Sequence, residues 1–403
     1  MITELTIGII REKQYPTERR APITPDVAKH LLEAHKGLNI IVQPSVQRVF
    51  DDTSYIKAGC QVTDDLSACD VILGLREIEA EELIPKKKYL FFSHVAKRRP
   101  RNKRLLKGAH DNHVTILDYE FLKGTNNKRL VGFGYWAGLV GAYNVIRAYG
   151  LKTGQFSVLS TSFLIDKDQL FEEIKKVTNC KGRILVTGQG KVTNGVVEVL
   201  EAIGAKEVNR QQFLGEPKAA LVFYLASPHD YMRHNDLAHF SKDYLRSHPQ
   251  EFESNISEYI KKADIYIAGH YWDSRFPDFL TQEEAMCEDI GIKVFGDVSC
   301  DLPGPLPFSK QLSTLEEPFY DVKRSDLSIQ PAFSGDDNVT VMTIDNLPSA
   351  LAVEASVDFA NQIEHLVLPY FWEGDYNKVL KRATVLRNGN LNEPFKYLSD
   401  YLE

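Results

Sequence analysis

The chain has 403 residues, of which 43% are hydrophobic and 26% charged, an ordinary globular balance with length for two or three domains. The formal net charge of −7 excludes bulk attraction to nucleic acid, so local cations must meet any anionic ligand. Five cysteines without CxxC spacing argue against a disulfide framework and a zinc site, and the apolar runs are too short to cross a membrane. We expect a cytoplasmic protein that binds no metal and begins with a strand rather than a signal peptide.

Short apolar runs separated by helical patterns fill the first third of the chain. This rhythm, without strict alternation, is typical of a parallel sheet covered on both faces. A helix start is marked at Thr24-Pro25-Asp26 by a threonine cap, a proline at the first helical position and an acid in the first turn. The predicted strands are 5–10, 39–43, 71–75, 89–92 and 114–117.

The same rhythm returns after a long helix predicted at 135–149, whose small residues indicate close packing. Two terminal helices are predicted at 349–366 and 377–387. The sequence therefore predicts an α/β protein with two Rossmann-like, doubly wound parallel-sheet domains and an interdomain cleft. The further predicted strands are 183–187, 206–209, 221–225, 265–268, 293–297 and 339–344.

A strand, a glycine turn and a helix start coincide at 183–195. Gly188 permits the sharp turn, and Gly190 lets the backbone approach a pyrophosphate. The helix predicted at about 193–203 would supply free N–H groups and a positive dipole end, with Lys191 and Val192 as further cofactor-binding residues of the turn. The third glycine comes two places late, at Gly195. We interpret the turn as a nicotinamide-dinucleotide site, with an ordinary βα turn as the alternative.

The position about 20 residues past the turn influences the choice of cofactor. An acid there would accept hydrogen bonds from the adenosine ribose and favour NAD(H). This chain has Asn209 and Arg210 instead, and a neutral residue followed by a cation suits the 2′-phosphate of NADP(H). We therefore favour NADP(H) over NAD(H), while a solvated surface role for Arg210 stays open.

Several separate motifs carry a family resemblance. The segment from Glu18 to Pro25 resembles the N-terminal motif of the alanine dehydrogenase, transhydrogenase and saccharopine dehydrogenase superfamily. More narrowly, six segments look like the lysine-ketoglutarate reductase half of the bifunctional lysine-degrading enzyme, and the match covers nearly the whole chain in one order. Those segments are 92–94, 117–120, 134–138, 269–272, 296–301 and 344–348.

The resemblance implies an interrupted domain arrangement. Residues 1–134 and 347–403 would form the substrate domain, and residues 135–346 the NAD(P)-binding domain, with the active site facing the cleft between them. The implied reaction joins the ε-amine of lysine to the keto carbon of 2-oxoglutarate and reduces the resulting imine to saccharopine. Those substrates carry three carboxylates, so the site needs fixed cations and an acid–base group. Oligomeric state stays open, a homo-oligomer included.

The resemblance also implies roles for particular residues. His94 corresponds to the acid–base histidine of the family, and Arg20 to a substrate-binding arginine. Structural alternatives are a histidine that holds a loop and an arginine paired with Glu18. Glu77 and Glu120 would orient His94 or tune Arg76. Further substrate cations would be Arg19, Lys97 and Arg129, and further cofactor contacts Tyr271, Asp297 and Asp345, the last of which could instead cap the following helix.

Arg76 departs from the family pattern. The alanine and saccharopine dehydrogenases carry a lysine at this place, thought to act as a base, and arginine does not deprotonate at working pH. His94 could do all the proton work, the substrate could differ, or the protein could be an inactive relative. The alternatives to a saccharopine-type enzyme are an opine or amino-acid dehydrogenase with another amine or oxo acid, and a non-catalytic nucleotide-binding regulator.

Overall fold

The computed structural model describes residues 4–13, 17–98, 100–215, 220–272 and 275–402, without the side chains of residues 97, 100 and 101. The chain divides into two compact units. The first consists of Met1–Phe133 and Ala352–Glu403, and the second of Gly134–Leu351. The assignment of one unit to substrate and the other to cofactor stays a prediction.

Strands and helices alternate through the first 133 residues. Five observed strands lie within two residues of the predicted ones, and the short strand Gln61–Val62 was not predicted. Helix α1 begins as predicted, because the Thr24 hydroxyl accepts from the Val27 N–H and Pro25 occupies the first turn. The strands are β1 (Leu5–Ile9), β2 (Leu38–Val42), β3 (Gln61–Val62), β4 (Val71–Leu73), β5 (Lys88–Phe91) and β6 (Thr115–Asp118). The helices are α1 (Pro25–Ala34), α2 (Asp52–Lys57) and α3 (Pro100–Asp111).

The second unit repeats the alternation, with more irregular connections. Its strands are β7 (Gly182–Thr187), β8 (Lys206–Glu207), β9 (Leu221–Ala226), β10 (Met232–His234), β11 (Phe252–Ser254), β12 (Ile265–Ala268), β13 (Val294–Asp297), β14 (Tyr320–Val322), β15 (Ile329–Gln330) and β16 (Val339–Met342). Its helices are α4 (Gly134–Thr153), α5 (Lys167–Ile174), α6 (Lys191–Ala202), α7 (Arg210–Leu214), α8 (Pro228–Tyr231), α9 (Lys242–Ser247), α10 (Ser257–Ile260) and α11 (Gln282–Ala285).

The last segment corrects one prediction. Helices α12 (Ala352–Leu366), α13 (Pro369–Trp372) and α14 (Val379–Ala383) lead into strands β17 (Thr384–Arg387) and β18 (Asn390–Leu391). The helix predicted at 377–387 is therefore wrong in its second half. Strand β17 pairs antiparallel with β6, and this long-range pairing of a β-branched, buried segment overrides the local helical pattern.

Both sheets are mostly parallel, as predicted for an α/β fold. In the first unit the strand order is β18-β17-β6-β5-β4-β1-β2-β3, and in the second it is β15-β14-β16-β13-β12-β7-β9-β8. Antiparallel strands, β17 with β18 and β14 with β15, close one edge of each sheet, which the periodicity did not predict. Within the described residues, no helix is both long and apolar enough to cross a membrane.

Two glycines let α4 and α6 approach closely inside the second unit. A Cβ at Gly195 would lie 2.1 Å from the carbonyl oxygen of Tyr135, and one at Gly138 would lie 1.9 Å from that of Val192. Both contacts are to backbone, which cannot move aside like a side chain. The late third glycine of the turn therefore serves helix–helix packing.

Replacing Gly195 with alanine should destabilise the protein, although alanine ordinarily favours a helix over glycine. The added methyl would force α4 and α6 apart, and overpacking of this kind costs about 1–3 kcal/mol. Chemical denaturation measures the loss. Asn194→Ala, at an exposed position of the same helix, is the control and should change stability by less than about 0.5 kcal/mol. Equal stability of Gly195→Ala and wild type would contradict the packing described.

Candidate active site

Polar side chains follow four neighbouring strands of the first sheet, β1, β4, β5 and β6, at the point where each strand ends. These strands are parallel, so their carboxyl ends meet at one edge. Ligands of open α/β sheets bind at this edge. The side chains brought there are Glu12, Arg76, Glu77, His94, Asp118 and Glu120.

His94 and Glu77 form the central pair of this edge. The Nδ1 atom of His94 lies 2.7 Å from Oε1 of Glu77, and both side chains are largely buried. If Nδ1–H donates to the carboxylate, the neutral ring presents Nε2 as a proton acceptor. His94 also has a left-handed backbone, with φ of 51°, which is uncommon for a side chain of this size. Strained residues of this kind cluster at functional sites.

Asp118 is hydrogen-bonded to Ser93, the residue before His94, and was not predicted as a site residue. Its Oδ2 accepts hydrogen bonds from the Ser93 hydroxyl at 2.5 Å and from the Ser93 N–H at 3.1 Å, and its Oδ1 accepts from the Glu120 N–H. It therefore ties the turn before His94 to the turn that carries Glu120. Burial, with the negative charge of Glu120, raises the pKa of Asp118 to about 6 against the opposing effect of His94.

Glu12 is a second carboxylate that the sequence analysis missed. It accepts backbone hydrogen bonds from Leu75 at 2.6 Å and from Arg76 at 3.1 Å, so it fixes the turn that follows β4. Burial, together with the negative charge of Glu18, raises the pKa of Glu12 to about 7. The guanidinium of Arg76 is buried, with its Nε 4.0 Å from Oε2 of Glu77. Arg76, Glu77 and His94 thus form one continuous group.

Arg20 makes the ion pair that the sequence analysis gave as its structural alternative. Its Nε and Nη2 atoms donate to the two carboxylate oxygens of Glu18 at 2.8 and 2.6 Å, and both residues are buried. Burial alone would raise the pKa of Glu18, but the Arg20 charge and hydrogen bonds outweigh it and lower that pKa. The guanidinium also lies 4.2 Å from the centre of the Phe133 ring, which holds it in place.

The other predicted substrate cations differ in position. Arg129 is 46% exposed, and its Nη2 lies 3.9 Å from Oε1 of Glu120, which connects it to the edge. Arg19 is exposed, and within the part of the chain that the structure describes no hydrogen bond or ion pair joins its side chain to the carboxyl-edge residues. The side chain of Lys97 lies outside the described part of the chain.

The glycine turn of the second unit has the predicted form. Gly188 has a φ of +112°, and a Cβ there would lie 2.6 Å from the carbonyl oxygen of Gly269. Gly190 caps α6, and a Cβ there would meet nothing within 4 Å. Lys191 and Val192 form the first turn of α6, whose N–H groups point out of the helix start. The conformation and neighbours of Gly188 therefore require glycine, whereas the space beside Gly190 is open.

A buried hydrogen-bond network surrounds Thr187, the residue directly before the glycine turn. The Thr187 hydroxyl lies 2.6 Å from Nδ1 of His270 and 3.0 Å from the Tyr266 hydroxyl. Burial lowers the pKa of His270 to about 3, so the ring is neutral at physiological pH. No role was predicted for His270 from the sequence, although it lies in the segment 269–272 that carries part of the resemblance.

Asn209 and Arg210 have structural partners of their own. The Asn209 side chain accepts from the Gln212 N–H and caps α7. Arg210 donates to the Glu258 carboxylate at 2.7 Å and to the Tyr259 hydroxyl at 2.8 Å. Strand β8 also pairs with β9 and not with β7, so the strand that follows the turn along the chain is not its neighbour in the sheet.

The remaining predicted cofactor residues occupy three different environments. Asp297 is fully buried and accepts from the hydroxyls of Ser299 and Ser309, so it holds the loop that follows β13; burial raises its pKa. Tyr271 is 55% exposed, with the Arg246 guanidinium 5.6 Å from its ring centre. Asp345 is half-buried in the connection after β16.

One known protein family matches the N-terminal part of the chain. The profile described as "Alanine dehydrogenase/PNT, N-terminal domain" matches residues 8–140, a stretch that begins within β1 and contains β2 to β6 and the carboxyl-edge residues.

Relatives extend the likeness over nearly the whole chain. The alpha-aminoadipic semialdehyde synthase of Arabidopsis thaliana is 28% identical over 97% of this chain, which spans only 41% of that longer protein. The lysine-forming, NAD(+)-dependent saccharopine dehydrogenase of Neurospora crassa is 24% identical, with 89% of each chain covered. Among solved structures, an L-alanine dehydrogenase has a TM-score of 0.64 at 15% identity and covers 99% of this chain, which shows a shared fold. The chain is thus similar over nearly its whole length to saccharopine dehydrogenases and alpha-aminoadipic semialdehyde synthases, and over residues 8–140 to the alanine dehydrogenase/PNT N-terminal domain.

Proposed function

We propose that the protein is a saccharopine-type dehydrogenase that condenses L-lysine with 2-oxoglutarate and reduces the product to saccharopine, or runs the reverse reaction. The observation that carries the proposal is the buried His94–Glu77 pair beside Arg76, at the carboxyl edge of the first sheet. Relatives named for the saccharopine reaction and for alpha-aminoadipic semialdehyde synthesis support this choice of substrate.

The reaction requires several proton transfers at positions where a neutral base is useful. The lysine ε-amine adds to the keto carbon to give a carbinolamine, which loses water and leaves an imine. Hydride addition to the imine carbon and protonation of nitrogen complete the secondary amine. His94, oriented through Nδ1 by Glu77, would take the proton from the attacking amine and return it to the leaving hydroxyl. Such a base typically accelerates a step by about 10²- to 10⁴-fold.

Arg76 would act as a fixed cation. Its buried guanidinium can meet a carboxylate of the oxo acid with two parallel hydrogen bonds, and it keeps its charge throughout the reaction. Glu12 fixes the backbone on which Arg76 is carried. In this arrangement Arg76, which replaces the family lysine, would bind substrate, and His94 would carry out the proton transfers.

The cofactor would be a nicotinamide dinucleotide bound at the glycine turn, which supplies the hydride when bound. The open position at Gly190 and the start of α6 would hold its pyrophosphate, because a backbone without a Cβ and outward N–H groups suit an anion. Cytoplasmic location and a homo-oligomer stay predictions of the sequence.

Arg76→Ala should raise the KM for 2-oxoglutarate by about 10- to 100-fold, the effect of losing a charged hydrogen bond. The KM for the reduced cofactor should stay unchanged. Arg104→Ala is the matched control, because that arginine is exposed on α3 and pairs with Glu81. An unchanged KM for the oxo acid in the Arg76 variant would remove Arg76 from substrate binding.

A panel of amines and 2-oxo acids tests the choice of substrate. The proposed function requires that lysine with 2-oxoglutarate gives the highest kcat/KM of the panel. A higher value for another pair would identify a related opine or amino-acid dehydrogenase, the alternative that Arg76 keeps open.

A further inference from the structure

Ser93, the residue before His94, is held through every polar atom that it carries. Its N–H and its hydroxyl donate to Oδ2 of Asp118 at 3.1 and 2.5 Å, and its carbonyl oxygen accepts from Nδ2 of Asn102 at 3.1 Å. We call Ser93, Asn102 and Asp118 the Ser93 clamp. All three residues are almost completely buried. The clamp lies within the first unit and joins the ends of β5 and β6 to helix α3.

The residue next to the clamp has a backbone conformation that needs support. His94 has φ of 51° and ψ of 10°, the left-handed conformation that is unfavourable for any residue with a Cβ. Such a conformation persists only where the surrounding structure determines it. Ser93 is fixed directly before His94, and Asn102 fixes it from the helix that follows. Loss of one of these bonds would leave a buried polar group without a partner.

The backbone at His94 determines where its ring lies. The ring contacts Glu77 through Nδ1 at 2.7 Å and is nearly parallel to the Phe92 ring, with 18° between the planes and 6.2 Å between the centres. Glu77 belongs to a different segment, the turn that follows β4. The His94–Glu77 pair therefore forms only while the backbone at position 94 directs the ring toward that turn.

Asn102 makes its one described side-chain hydrogen bond to the clamp. Its Nδ2 donates to Ser93, whereas its Oδ1 has no hydrogen-bond partner among the described residues. A buried amide oxygen without a partner is unfavourable, and an apolar side chain of similar size would avoid it. The bond to Ser93 is therefore the contribution of Asn102 that an apolar residue could not replace.

We propose that Asn102 and Asp118 are positioning residues, which hold Ser93 so that the left-handed His94 presents its ring to Glu77 in the orientation that proton transfer requires. The inference deepens the proposed function and rests on it, because it concerns the proton transfers assigned to His94. Neither Asn102 nor Asp118 contacts substrate in this account. A misplaced base lowers the rate even when the substrate still binds, because proton transfer requires hydrogen-bond reach.

Asn102→Ala tests the clamp, and Asn144→Ala is its matched control. Asn144 is also fully buried, its Nδ2 donates to the Val140 carbonyl at 3.0 Å, and its Oδ1 likewise lacks a partner among the described residues. It lies on α4 in the second unit. We expect both variants to melt at a lower temperature, but only Asn102→Ala to lose kcat, by about 10- to 100-fold. The KM for NADH should stay unchanged in both.

A milder variant covers the case in which Asn102→Ala does not fold. Ser93→Ala removes the hydroxyl bond to Asp118 and retains the two main-chain bonds of the clamp. We expect it to lower kcat by about three- to tenfold, the effect of losing one hydrogen bond.

Imidazole NMR of the full chain measures the orientation of His94 without turnover. With ¹⁵N-labelled histidine, the His94 resonance is identified by its absence from the His94→Gln variant. We expect this resonance to shift or broaden in Asn102→Ala and Ser93→Ala, because the hydrogen bond to Glu77 changes. It should stay in place in Asn144→Ala.

The outcomes separate this inference from the proposed function. A shifted His94 resonance in Asn102→Ala, in a protein whose wild type does not oxidise NADH with lysine and 2-oxoglutarate, would support the clamp and overturn the proposed function. An unchanged His94 resonance, or wild-type kcat in Asn102→Ala, would overturn the inference and leave the dehydrogenase proposal standing. Equal losses of kcat in Asn102→Ala and Asn144→Ala would also overturn it, because they would show a general effect of lost stability.

Discussion

Alanine at position 190 should leave the fold intact and strongly weaken cofactor binding, whereas alanine at position 188 should destabilise the protein itself. Gly190 has an extended backbone, with φ of −124°, that any residue can adopt, and its Cβ would enter open space. That space is where a pyrophosphate would approach, so the methyl group would collide with the ligand alone. Gly188 needs its φ of +112°, and its Cβ would strike the Gly269 carbonyl.

Thermal unfolding and dinucleotide titration of the two variants measure this contrast. Gly190→Ala should melt within about 2 °C of the wild type and bind NADH at least about 100-fold more weakly, a loss of roughly 2.7 kcal/mol. Gly188→Ala should lose about 1–3 kcal/mol of stability through strain and overlap. Normal NADH affinity in Gly190→Ala would show that the dinucleotide binds elsewhere.

Replacing His94 with glutamine should lower kcat by about 10²- to 10⁴-fold, because glutamine retains a polar side chain but has no ring nitrogen that can accept and return a proton. The affinity for NADH should stay within about twofold, since no part of the glycine turn changes. The left-handed backbone at position 94 could itself disfavour glutamine. His113→Gln controls for this, because His113 is an exposed histidine with a φ of 53°.

Steady-state kinetics and melting curves of both variants complete this test. We expect a similar change in melting temperature for the two substitutions but a loss of kcat only at His94. Full turnover in His94→Gln would remove this residue from proton transfer and would direct attention to Glu12 and Asp118, the carboxyl groups of the edge whose pKa values are raised to about 7 and about 6.

The sequence predicted what depends on local pattern. Apolar runs predicted most of the parallel strands but not the antiparallel strands at the sheet edges, and the glycine turn was placed because a strand, a turn and a helix start follow one another. Asp118 and Glu12 were missed because their roles depend on which strands become neighbours. Asp118 matters only because β6 lies beside β5 and brings its carboxylate to Ser93. No spacing along the chain reveals such a contact.

The prediction about the ribose position also depends on strand order, which no pattern along the chain shows. Counting about 20 residues past the turn assumes that the next strand along the chain is also the next strand in the sheet. Here β9 lies between them, and a cavity beside the turn is lined by residues that include Glu201 and Glu207. Likewise Arg20 and Glu18 are close in sequence, but only the buried environment shows that their ion pair is bidentate.

Oxidation of NADH by the purified protein, in the presence of both lysine and 2-oxoglutarate, tests the central proposal most directly. Absorbance of the reduced nicotinamide is followed with each substrate alone and with both together, and the product is identified by mass. The proposed function predicts oxidation that requires both substrates, yields saccharopine and falls with His94→Gln. No lysine-dependent oxidation with either NADH or NADPH, from a protein that binds the dinucleotide, would contradict it.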